Sequence, residues 1–333
     1  MKTELTSPAF IAALVIGGAI VFAAPLFLET YDLFNFTVFA IMAMLAISLN
    51  FVWGIGGILS LGQALFFGLG GYAYAITAIN LGSGWGLLAA VAVPCLFALI
   101  VGYVAFYGRI SDVYFGVVSL TISLILYNFV NSTSDAFYTI GTARLGGYNG
   151  IPSVPPIQAP WAAQPLGFEA MYVLCALTAL VFYLGVRLFV SAPFGRVIIA
   201  VRENDLRAEL LGYDPRYHRL VVFAIGAAMS GLAGAFFAAW GAFIGPDTFS
   251  VSFAAQAIIW VLFGGLGTLI GPVVGALSVS WFTTWLGEVR LLDPNIALGL
   301  LFIVSVLLVP NGMVPALRKL LGRLRIVKER ADP

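Results

Sequence analysis

Across 333 residues, hydrophobic side chains make up 61% of the chain and charged ones only 9%, against about 25% charged in an ordinary soluble domain. No soluble fold of this length can hide that much apolar surface, so the solvent is a bilayer and the fold class is an all-α, polytopic transmembrane helix bundle. The formal net charge of +1 says nothing in favour of a nucleic-acid partner, and none is expected.

A span needs about 20 apolar residues, because a helix rises about 1.5 Å per residue and the hydrocarbon core is about 30 Å thick. After Lys2 and Glu4, residues 10–28 form an apolar run that is long for a signal-peptide core and lacks a clean small-residue cleavage site, so it reads as a retained first span. Further segments follow at 36–53, 58–81, 87–107 and 113–130. A long loop, 131–169, carries five prolines and the turn-forming stretch Gly146-Gly147-Tyr148-Asn149-Gly150. Next come a span at 170–190, a charge-rich loop at 191–218, and segments at 219–244, 251–263, 272–287 and 295–309. Residues 310–333 are a basic tail. The expectation is one membrane domain, 1–333, with ten segments, or eight if a Gly-rich hairpin is re-entrant.

Charge placement orients these segments. With both termini cytoplasmic, fourteen of the sixteen Lys and Arg residues lie inside, and only Arg144 and Arg290 lie outside. That asymmetry places 131–169 on the outer, periplasmic side and 191–218 and the tail in the cytoplasm. Two hairpins share a Gly-rich break between apolar helices: Trp53-Gly54-Ile55-Gly56-Gly57 and Phe263-Gly264-Gly265-Leu266-Gly267-Thr268. Broken helices at matching positions can mark a substrate path, although Gly is common in membrane helices generally.

No catalytic constellation is visible. Cys95 and Cys175 lie in apolar runs and read as packing residues, not a disulfide or a metal site. His218 reads as an interfacial residue beside Arg216 and Arg219. Ionisable side chains are almost absent from mid-span positions, which argues against a proton- or sodium-coupled carrier. The only lysines are Lys2, Lys319 and Lys328, and none follows a Gly-rich loop, so the chain has no phosphate-binding loop of its own. No cofactor or metal is expected on this chain. If ATP drives it, a separate subunit binds the nucleotide.

The 191–218 loop is the candidate for receiving that drive. Asn204 or Asp205 can cap a short helix, Gly212 suits its C-terminal stop, and Pro215 blocks continuation. Leu206 and Leu210 share one face. Such a helix either docks in a partner's groove, rimmed by Arg202, Glu203 and Arg207, or lies on the membrane surface as a solvated loop helix.

Three sets of small or polar residues lie within the spans. Gly226, Ser230, Gly234 and Ala238 recur every four residues, beside the row Ala227, Gly231, Ala235 and Ala239, and read as helix-packing faces. Ser119, Ser123, Tyr127 and Asn131 form a polar stripe, and Thr121 and Asn128 lie one heptad apart. Those residues, with Asn50, Ser60 and Gln63 beside the first Gly break, either line a wet path or hydrogen-bond across helix interfaces.

Residues Arg202-Glu203-Asn204 and Ala208-Glu209-Leu210-Leu211-Gly212 resemble the cytoplasmic coupling loop of ATP-binding-cassette (ABC) importer permeases, specifically the branched-chain amino acid permease family of the LivM type, with its urea-transporting relatives. Ala208 and Gly212 keep the spacing of the permease signature Glu-Ala-Ala-x-x-x-Gly, whereas Leu206 and Arg207 replace its Glu and first Ala. The stretches Leu59–Gly68, Gly146–Gly150 and Phe263–Pro272 are similar to that family in the same order. The resemblance implies a non-enzymatic transport subunit of the bacterial inner membrane. It also implies a second permease (forming a heterodimer), two ATPase subunits carrying ATP and Mg, and a periplasmic substrate-binding protein. The implied cargo is a branched-chain or other amino acid, with urea or a short amide as the alternative. A facilitative channel, an ion-coupled carrier and a non-transporting scaffold are the rival classes.

Overall fold

A computed structural model describes residues 8–135, 137–158, 164–289, 294–308, 312–317 and 319. Each expected segment coincides with a helix: α1 Pro8–Phe27, α2 Thr30–Leu49, α3 Gln63–Leu81, α4 Ser83–Tyr107, α5 Asp112–Asn131, α6 Phe168–Ser191, α9 Pro215–Gly241, α10 Val251–Gly264, α11 Gly271–Val289 and α12 Pro294–Leu308. Seven of the described helices are long and apolar enough to cross a bilayer, with α10 shorter. The protein is a multi-pass membrane helix bundle. Lys2, Arg290 and the basic residues of the tail other than Lys319 lie outside the described residues.

Three expectations about segment boundaries need correction. The second span starts six residues early and extends beyond α2 as a π-helix, Asn50–Ile55. Residues 58–62, expected as the start of the third span, are not helical; Gly57, at φ +74°, turns the chain, and α3 begins only at Gln63. The 191–218 segment holds not one short helix but two: α7, Pro193–Glu203, and α8, Asp205–Leu210.

The hydrophobic pattern explains the layering. α2 is apolar all round, and 89% of its best span window is buried in the protein, whereas the figure for α1 is 11%. An all-round apolar helix belongs in the centre of a membrane bundle or against lipid, and α2 and α1 occupy those two places. The tightest packing joins α3, α4 and α9. One row of α9 faces α3: a side chain at Gly234 would strike the Phe67 carbonyl. The adjacent row faces α4: a side chain at Gly231 would strike the Ala90 carbonyl and Pro94. Small residues at these positions are what let the helix backbones touch.

The described residues of the loop 131–169 fold over one end of the bundle. A small hairpin pairs β1, Thr139–Ile140, with β2, Ala143–Arg144. Strand β3, Ile151–Pro152, pairs antiparallel with β4, Phe243–Ile244, just beyond α9. At the same end, the Tyr31 hydroxyl donates to Glu288 at 2.7 Å. The opposite end carries α7, α8 and the arginines around them, the end expected to face the cytoplasm from the distribution of basic residues.

Candidate functional site

The end that carries α7 and α8 presents a short helix with stops at both ends. Pro193 occupies the first turn of α7, where a missing N–H costs nothing. Gly195, Ile198 and Val201 form the buried face of α7, and Arg202 and Glu203 emerge at its end. Asn204 then leaves helical geometry, and its side chain accepts from the Arg207 amide at 2.9 Å, capping α8. At the far end, the Tyr213 amide donates to the Ala208 carbonyl at 3.1 Å and the Gly212 amide to the Glu209 carbonyl at 2.9 Å. This is a Schellman stop, with Gly212 at φ +88°. Asp214 caps the next helix, and Pro215 opens it.

α8 turns its apolar side chains outward. Ala208 packs inward, while Leu206, Leu210 and Leu211 are 65%, 78% and 76% exposed. A groove of about 870 Å³ lies between α7 and α8, lined in part by Phe194, Val197, Ala200 and Ala208. His218 stacks on Phe194 with ring centroids 4.6 Å apart, and its Nδ1 lies 2.7 Å from the Asp214 carbonyl. It is a packing residue of this groove.

Two connections tie α7 and α8 to the spans. In the first, Arg219 of α9 pairs with Asp205 of α8 at 2.9 Å and with Asp112 at the start of α5 at 3.3 Å. Burial pushes the Asp205 carboxyl above the usual carboxylate range, against the lowering pull of Arg219, and Asp112 and Glu209 raise it further. Nothing in the sequence marks this triad, because its members lie 107 and 14 residues apart and each reads alone as a solvated charge.

The second connection runs through Arg202, whose guanidinium donates to the carbonyl of Gly54 in the π-helical end of the second span. A Cβ at Gly57 would lie 2.7 Å from Cγ of Arg202. The same spot holds the second Gly-rich break. Asn50 donates from Nδ2 to the Thr268 carbonyl at 2.9 Å and accepts at Oδ1 from the Gly267 amide at 2.8 Å. A Cβ at Gly54 would lie 2.6 Å from the Gly267 nitrogen. The two breaks, similar in sequence, therefore sit face to face, and Asn50 clamps them together.

Deeper in the bundle is a knot of buried polar groups. Gln63, the first residue of α3, donates from Nε2 to the Ser48 hydroxyl at 3.2 Å and to the Gly226 carbonyl at 3.1 Å. Ser230 donates to the Gln63 carbonyl at 3.0 Å. Ser119 accepts from the Gly62 amide at 3.2 Å and donates to the Gly116 carbonyl at 2.8 Å. Ser60 and Gln63 Oε1 are buried without a partner. Ser48 belongs to this knot although the sequence gives no sign of it.

The polar stripe of α5 divides. Ser119 and Ser123 face the interior, and Ser123 donates to the Phe249 carbonyl at 2.9 Å. Tyr127 is half-buried against the core. Thr121 and Asn128 point outward and bond carbonyls of their own helix. In this conformation the inward members form cross-element hydrogen bonds, closed in by protein. On α9, Gly226, Ser230, Gly234 and Ala238 are all buried. No group of three or more His, Cys, Asp or Glu able to hold a metal occurs among the described residues.

A family model described as the permease component of the branched-chain amino acid transport system matches residues 33–309. The chain is 25% identical over 321 residues to the high-affinity branched-chain amino acid transport system permease protein LivM of Escherichia coli K12, covering 87% of this chain and 71% of that one. It is 29% identical over 294 residues to a probable LivM of Methanocaldococcus jannaschii, covering 78% and 81%. It is 28% identical over 223 residues to the autoinducer 2 import system permease protein LsrC of Yersinia pseudotuberculosis, covering 63% and 58%. No solved structure matches the chain.

Proposed function

The chain belongs to the branched-chain amino acid transport system permease family, and from that premise we propose that it is the membrane-spanning permease of an ATP-binding-cassette importer for branched-chain or similar apolar amino acids. It works in the bacterial inner membrane by alternating access. A second permease completes the path, two ATPase subunits bind ATP and Mg, and a periplasmic binding protein delivers the cargo. This chain performs no covalent chemistry. The amino-acid assignment rests on the LivM relatives.

The observation that carries the coupling part of this reading is α8, a capped helix that holds Leu206 and Leu210 out into solvent. Exposed leucines on a rigid, charge-rimmed helix suit a partner's groove. Burying both would contribute about 3–6 kcal/mol before ordering costs. Motion of a docked ATPase then has two routes inward. Arg219 passes it to α5 and α9, and Arg202 passes it to the apposed Gly breaks, which act as the cytoplasmic gate. Ser119, Ser123 and the knot around Gln63 become path-lining when the interior seam opens.

The test is the double variant Leu206→Asp, Leu210→Asp in the complete transporter. The expected outcome is loss of the ATPases on purification, or hydrolysis without uptake, with the permease pair intact. Normal uptake with ATPases bound removes α8 as the coupling element.

A further inference from the structure

The head of α3 combines features that the coupling mechanism does not use. It lies at mid-membrane: its partners Gly226 and Ser230 stand eleven and fifteen residues into α9, about 16–22 Å along that helix. The chain is broken at this depth. The second span ends at Ile55, residues 56–62 are not helical, and α3 starts without a capping side chain. In its first turn, the Leu65 amide bonds back to the Gly62 carbonyl. The amides of Gln63 and Ala64 have no earlier turn to receive them. A helix N-terminus with free amides inside a bilayer favours an anionic group.

Two side-chain atoms at the same helix head point to the ligand's other charge. Gln63 Oε1 and the Ser60 hydroxyl are buried and unpartnered, in residues 1% and 0% exposed. The amide of Gln63 cannot be turned over to cure this, because Nε2 donates to the Gly226 carbonyl, which can only accept. Oε1 must therefore accept, and a buried acceptor without a protein partner is a costly, rare arrangement that a donating ligand would relieve. A ligand that uses both halves of this site carries an anion for the amides and an N–H donor for Oε1 and the hydroxyl.

We propose that the head of α3 is the subsite that binds the zwitterionic head group of an α-amino acid, carboxylate on the amides of Gln63 and Ala64, ammonium on Gln63 Oε1 and Ser60 Oγ. This inference rests on the amino-acid permease reading and adds to it the chemistry of recognition. In the conformation described the subsite is shut, since both side chains are buried. Opening it requires α3 to part from α9, which breaks the Gln63 bonds to Gly226 and Ser230 and separates the ring pairs Phe66–Phe223 and Phe67–Phe237.

The experiment uses the complete transporter in membrane vesicles, with Cys95 and Cys175 replaced and Ser60→Cys introduced. A small cationic methanethiosulfonate reagent is applied during ATP turnover. The expected result is labelling of the S60C thiol that leucine slows about tenfold and isoamylamine, which lacks the carboxylate, does not. In parallel, Gln63→Leu raises KM for leucine about tenfold or more with assembly unchanged, and Gln63→Glu, which keeps an acceptor, restores part of the affinity. Leucine uptake by the parent transporter is measured in the same vesicles. No uptake there retires the substrate reading. Uptake with no labelling of the S60C thiol, with labelling that leucine does not slow, or with an unchanged KM in the Gln63→Leu variant overturns the subsite alone.

Discussion

Helix α8 and the seam between α3 and α9 are built on opposite plans. α8 exposes leucines to water and ties its half-exposed Asp205 to Arg219 of the spans. The seam hides serines and a glutamine inside the bilayer and brings backbones together through glycine. Each arrangement is unfavourable taken alone, because exposed leucine and buried unpaired polar groups both cost free energy. On the proposed function, the contrast says where each surface finds its completion: α8 in a partner subunit, the seam in a second conformation or a ligand.

The comparison breaks most completely at α8. The Leu206→Asp, Leu210→Asp variant is expected to lose its ATPases while the bundle itself keeps its thermal stability, because both side chains project into solvent. A large fall in melting temperature of the isolated permease would show instead that the leucines pack within the chain.

The seam answers in the reverse sense. Gly234→Ala places a methyl against the Phe67 carbonyl, a backbone atom that cannot swing away. A loss of about 1–3 kcal/mol is expected from overpacking, read as a lowered melting temperature or poor recovery in detergent. An unchanged variant would mean that the α3–α9 contact is looser than described.

Between the two regions stands Arg202. Arg202→Ala removes the bond to the Gly54 carbonyl but leaves the leucines and the seam untouched. ATPases should remain bound and hydrolysis should continue while uptake falls about tenfold, with Arg202→Lys intermediate. A proportional fall in hydrolysis and uptake places Arg202 in docking instead of transmission.

The smallest effect is expected at Asp205. Its carboxyl is raised by burial despite the nearby Arg219, so the ionised form is held at a cost. Asp205→Asn should change stability by under about 1 kcal/mol, and Arg219 keeps Asp112. A rise in uncoupled hydrolysis without a change in melting temperature would assign the pair to transmission.

Much of this architecture was legible in the residues. The short helix from Asn204 to Gly212 was written in local signals, a capping Asn, a glycine that tolerates positive φ and a following proline, and each needs only near neighbours to act. The packing rows of α9 were legible because a helix puts every fourth residue on one face. α7 was not, because its arginines and Glu203 dilute an apolar face of only three buried residues. The polar stripe of α5 was visible as a stripe, but spacing does not say what lies opposite it. Ser123 meets the Phe249 carbonyl, 126 residues away.

The sequence by itself determined the bilayer as solvent and the helical segments, properties of composition, period and short-range order. Tertiary structure alone decided that the two Gly-rich breaks face each other across Asn50, that Arg202 ends on Gly54, and that Gln63 keeps an acceptor unsatisfied at mid-membrane. The physical reason is range. Hydrophobicity and capping act over a few residues along the chain. Side-chain hydrogen bonds to carbonyls 163 to 218 residues away exist only once glycine and serine have let the helices close.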